Sequence, residues 1–172
     1  MLRKQIYRGF IYSAGFGFFV VCSLILRHLP EFILYEIAKA IAVVGYALGL
    51  RFRKTALENL DAAFGKEKTQ KQISRIAFDC VLSIVKSAAE VVSVIGKSPD
   101  DIRRKYSLVH KEHLDKALAK GKGVILVSAH FGNFPLMVVR LSCEGYKAAA
   151  IMRPLKDERF ERFLAAERDR FR

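Results

Sequence analysis

Acidic residues and cysteines are both scarce in this sequence of 172 residues, and each shortage excludes something. Only 17 Asp and Glu stand against 30 Lys and Arg, a formal net charge of +13. A chain this basic favours nucleic acid or anionic membrane surfaces. Zinc-finger, RRM and KH signatures are missing, and the charge flanks hydrophobic segments instead of interleaving with aromatics. Nucleic acid is therefore set aside in favour of an anionic lipid surface or the phosphates of a lipid substrate. The cysteines, Cys22, Cys80 and Cys143, are odd in number and far apart. They form no CxxC and no zinc pattern, which points to reduced thiols in or facing the cytosol. The glycines of Lys120-Gly121-Lys122-Gly123 lack P-loop spacing and the trailing Lys-Ser/Thr, so this is no nucleotide cradle. His110 and His113 form no metal pair with His130, and no metal is implied. Internal repeats and low-complexity linkers are absent.

What is present centres on Gly121–Leu141, GKGVILVSAHFGNFPLMVVRL. Val124–Val127 is a short β-branched apolar run, expected to be a strand covered on both faces. His130 follows at its C-terminal end, where open α/β sheets place ligands. Gly132 permits a sharp turn, Asn133 is a good N-cap, and Pro135 suits a first helical turn. Leu136, Val139 and Leu141 are expected to face inward. An imidazole at a helix N-terminus stays neutral and able to accept a proton, with an ordinary pKa near ~6.5. The backbone N–H groups of residues 131–134 are placed to face an anion or a developing oxyanion. A structural histidine at a strand end is the plain alternative.

The run GVILVSAHFGNF resembles the core motif of the bacterial lipid A acyltransferases, the lauroyl/myristoyl acyltransferase family. That motif is a hydrophobic strand followed by His-aromatic-Gly-Asn-aromatic-Glu. His130, Phe131, Gly132, Asn133 and Phe134 match it, whereas the acidic position is Pro135. In the family this His and acid form the catalytic dyad, so the departure bears on activity. Arg51–Phe64 (RFRKTALENLDAAF) is similar to the family's Arg-rich segment leading into Asn-Leu and an aromatic. Glu90 lies where members carry a helical Glu. The run IMRP at 151–154 resembles the strand and Arg-Pro after the motif helix, and Arg168 with Arg170 resembles a later paired-arginine element.

Read in order, residues 1–28 are expected to be a membrane anchor, because Gly9–Leu26 carries no charge behind a basic start. Residues 29–50 are a membrane-proximal helix beginning after Pro30, and Arg51–Phe64 is a basic amphipathic helix. Residues 51–172 form the acyltransferase domain. Thr69 caps a long helix over about 70–96 that contains Glu90, for which a surface pair with Lys86 is the plain alternative. Tyr106–Val109 is a candidate brief strand and Lys111–Ala119 a small amphipathic helix. Tyr146–Met152 reads as a second strand, making Val124–Met152 a parallel βαβ unit. Asp157–Arg172 is amphipathic. The fold class is accordingly α/β: a membrane helix and helical region, then part of an acyltransferase sheet. Because family members are longer and the chain stops within an amphipathic helix, it is expected to be an N-terminal portion.

The resemblance implies transfer of a fatty acyl chain from an acyl carrier protein thioester to a hydroxyl of a lipid A precursor or related glycolipid. His130 is then the base, and Asn133 is one candidate to orient its ring in place of the missing acid. Glu90 or Glu144 is a candidate acid supplied through the fold, as is an acid beyond Arg172. Gly132, Arg153 and Arg168 are the substrate-binding candidates. No cofactor is implied; acyl carrier protein acts as co-substrate. The implied location is the bacterial inner membrane with the catalytic part facing the cytoplasm. A non-catalytic membrane-associated lipid-binding module and an acyltransferase for another lipid acceptor are the competing functions.

Overall fold

A computed structural model describes residues 15–129, 131–151, 153 and 157–171. Eight helices account for the regular structure among them: α1 (Gly15–Leu26), α2 (Glu31–Leu48), α3 (Leu50–Phe64), α4 (Gln70–Val94), α5 (Pro99–Lys105), α6 (Lys111–Leu118), α7 (Phe134–Cys143) and α8 (Glu158–Asp169). The helix starts follow local chemistry. Pro30 stands before α2, and Thr69 and Gln72 exchange hydrogen bonds before α4, with the Thr69 N–H donating to Gln72 Oε1 at 2.8 Å. Ser98 and Asp101 form a full capping box on α5. Asp157 accepts from the Arg159 N–H at the head of α8.

The expected α/β fold is overturned, because no strand or sheet occurs among the described residues. Val124–Val127, Tyr146–Ile151 and Tyr106–Val109 all run without ladder partners. A helix satisfies its backbone within its own sequence, whereas a strand exists only through a neighbour. A single parallel pair with one crossover helix supplies each strand one neighbour and leaves most of its faces bare, too little to hold it. Ile125 and Val127 are accordingly 91% and 93% exposed, and not enclosed on both faces as expected.

The chain forms two compact units. In the first, Leu24–Ser93, helices α2 and α4 run antiparallel. Tyr35 meets Glu90 near one end, and Tyr46 meets Ser74 and Phe78 near the other. Leu34, Ala38 and Ala42 recur every four residues along α2 and are buried, as are Ile73 and Ala77 on α4. Ile84 of α4 is exposed. Helix α3 breaks from α2 at Gly49 with an 88° bend and buries no residue.

The second unit takes the described residues up to Ser23 together with those from Val94 onward. Its packing rests on α5 against α7, where Ile102, Leu136, Leu141 and Cys143 are buried. Phe16 and Phe19 of α1 stack edge-on or tilted against Phe160 and Phe163 of α8, with centroids 5.1–6.1 Å apart. Glu167 of α8 accepts from the Gly96 N–H at 3.0 Å.

Among the described residues no single helix is long and apolar enough to cross a membrane. A helix rises only ~1.5 Å per residue against a hydrocarbon core of ~30 Å, and the described part of α1, Gly15–Leu26, is shorter than that. Residues 1–14 of the expected anchor lie outside the described residues. The bent pair α2–α3 passes the same test of length and composition when taken together.

Candidate active site

Two glycines in left-handed conformation, Gly121 (φ 71°) and Gly123 (φ 73°), turn the chain out of α6 into the Val124–Ala129 segment. His130 lies outside the described residues. On its far side the Phe131 N–H donates to the Ala129 carbonyl at 2.8 Å. Gly132 follows at φ 58°, as the expected sharp turn requires, and a Cβ there would meet nothing within 4 Å. Glycine is needed at this position for its backbone angle alone.

Asn133 then opens α7, with its side-chain oxygen accepting from the Leu136 N–H at 3.4 Å. The carboxamide oxygen is therefore spent on capping the helix. Pro135 occupies the first helical turn, where a missing N–H costs nothing. Leu136 and Leu141 face inward, as the spacing predicts, and Val139 is half-buried.

The far end of α7 is held by charge. Arg140 is buried; its Nε donates to the Tyr106 carbonyl and its Nη1 to Glu144 at 2.5 Å. Lys111 also reaches Glu144, at 3.5 Å. The hydrogen bond from Arg140 holds the Glu144 carboxyl below its usual range. Glu144 is thus a doubly engaged structural carboxylate. Burial pushes the Cys143 thiol up, which keeps it protonated and inert as a nucleophile.

Glu90 sits in the other unit, half-buried on α4, and accepts from the Tyr35 hydroxyl at 2.7 Å. The same hydroxyl lies 2.5 Å from Glu31. Burial, and then these two carboxylates, raise the Tyr35 phenol well above its ordinary range. Lys86, the sequence-based surface partner of Glu90, lies over the Tyr35 ring at 5.1 Å. A tyrosine 55 positions away left no signal in the sequence around Glu90. Arg153 is exposed, and Arg168 is paired with Glu161 at 2.8 Å.

One grouping lies apart from the His130 box. His110, Glu112 and His113 place their donor atoms within 4.8 Å of one another at the start of α6. The signal was the local His-x-Glu-His spacing. Among the described residues, these three have donor atoms close enough together to hold a metal ion.

A family model described as bacterial lipid A biosynthesis acyltransferase matches residues 5–172. No curated protein and no solved structure matches the chain.

Proposed function

The chain belongs to the bacterial lipid A biosynthesis acyltransferase family, and from that membership we propose that it moves a fatty acyl chain from an acyl carrier protein thioester to a hydroxyl of a lipid A precursor or related glycolipid. The observation carrying this reading is the family match over residues 5–172, which includes the box His130-Phe131-Gly132-Asn133-Phe134. His130 removes the hydroxyl proton as the oxygen attacks the thioester carbonyl. The tetrahedral oxyanion collapses, the carbon–sulfur bond breaks, and the carrier thiolate leaves with the proton that His130 held. Gly132 and Asn133 set the turn and the helix start beside the base. Arg153 and Arg168 are the cations offered to substrate phosphates or to the acidic carrier. Residues 1–28 anchor the chain at the bacterial inner membrane, 29–50 lie along it, and 51–172 carry the chemistry on the cytoplasmic side.

Pro135 favours a second reading. It stands where the resemblance expects the acid that orients the histidine, and losing such a partner costs orders of magnitude in rate. A non-catalytic lipid-binding module keeps the basic and apolar surfaces and needs no dyad. The test is acyl transfer by membranes carrying the protein, with acylated carrier protein and a lipid A precursor, comparing wild type, His130→Ala and Pro135→Glu. Transfer abolished by His130→Ala supports the enzyme. Unchanged transfer in Pro135→Glu then means another group already fills the acid's place, and increased transfer means the acid was missing. No transfer by wild type, where a family member is active, supports the binding module.

A further inference from the structure

We propose that His110, Glu112 and His113 form a binding site for a borderline divalent cation of the Zn²⁺ type. The inference goes beyond acyl transfer and does not rest on it. Two imidazoles and one carboxylate are a common donor set for zinc, with water completing the tetrahedron. Glu112 presents one oxygen, Oε1, to both rings: it lies 3.2 Å from His110 Nδ1 and 3.9 Å from His113 Nε2. A tetrahedral ion with bonds of ~2.0–2.1 Å needs donors about 3.3 Å apart. The three atoms, all within 4.8 Å, reach that spacing by small rotations of exposed side chains.

The backbone sets this convergence. His110 adopts φ 60° and ψ 31°, the one non-glycine residue at positive φ among the described residues. That left-handed turn is disfavoured for a residue with a Cβ. It brings the His110 ring to 5.8 Å from the His113 ring, while the His110 side chain makes no capping bond. All three donors therefore come from four consecutive residues, with no long loop to close. The intervening cation is drawn aside, because Lys111 Nζ lies 3.5 Å from Glu144. Two nitrogens and a single carboxylate suit Zn²⁺, Ni²⁺ or Cu²⁺ and offer little to Mg²⁺ or Ca²⁺, which prefer oxygen. A bound ion ties the residue before α6 to the helix's first turn.

The test is calorimetric titration of Zn²⁺ into the whole chain in detergent micelles, without chelating buffer. Saturable binding of one equivalent is expected, with no binding of Mg²⁺. Glu112→Gln and His113→Ala are each expected to weaken zinc at least ~10-fold, since even groups behind a ligand are worth 10–100-fold. His110→Gly tolerates the left-handed turn, so it should fold at least as well as wild type and still lose the metal. Cys80→Ser and His28→Ala should bind as wild type, and Co²⁺ should give a spectrum without thiolate charge transfer. The proposal is overturned by a non-saturating titration, which means adventitious ions only, by loss of binding in Cys80→Ser, or by unchanged affinity in Glu112→Gln and His110→Gly.

Discussion

At the scale of single residues, short polar contacts decide where helices begin. Asp101 accepts from Ser98 and Arg104, and these hydrogen bonds lower its carboxyl to about 2. Asp157, held first by Arg159, is likewise lowered to about 2. Both folded values lie below the ordinary aspartate value of ~3.9. Such a group adds stability above its unfolded value, and the contribution is lost as pH falls through the folded one. Helix content followed by circular dichroism should therefore be level from pH 7 to about 4 and fall between about 4 and 2. Asp101→Asn should flatten part of that fall; an unchanged acid limb would remove the capping box as its source. Tyr35 presents a different count, in which one phenolic hydrogen stands between the Glu31 and Glu90 carboxylates and serves only one of them at a time.

At the scale of elements, helices were legible and strands were not. The boundaries of α2, α3, α4 and α6, and the start of α7, fall within about two residues of the sequence reading, as is usual for helix ends. Pro30, Thr69 and Asn133 mark their starts by chemistry contained in a few neighbouring residues. Val124–Val127 has every local mark of a strand, yet strand formation depends on a partner that the segment itself does not encode. The corner between α2 and α3 is legible only in three dimensions. Leu48, 77% exposed, and Phe52, 82% exposed, flank the 88° bend, with Arg51, Arg53 and Lys54 beside them. Apolar anchors next to cations are suited to an anionic leaflet. Phe52→Glu should weaken flotation with phosphatidylglycerol vesicles about tenfold, the equivalent of removing one buried aromatic at roughly 1.5–3 kcal/mol. Arg53→Gln should have a smaller effect, larger at low salt. Equal flotation by Phe52→Glu and wild type would show that this corner stays in water.

At the scale of the whole molecule, the net charge of +13 favours anionic surroundings. The candidate site was legible in its scaffold. Gly132 turns as the sequence requires and Asn133 caps as expected, because both follow from the residue's own backbone or its next four neighbours. The long-range partners were not legible. Glu144 is held by Arg140 and Lys111, and Glu90 by Tyr35; such pairings depend on how helices pack. The unladdered run Val124-Ile125-Leu126-Val127 has a further consequence for handling the protein. Four uncharged apolar residues, three of them β-branched, with no ladder partner among the described residues are a template on which a second chain can add, the seed of a cross-β stack. Lys120 and Lys122 stand just before it as electrostatic gatekeepers, and screening by salt disarms them. Turbidity should rise with both protein concentration and ionic strength, and Val127→Lys should suppress it. In storage this short segment, more than the helices around it, sets how concentrated the protein can be kept.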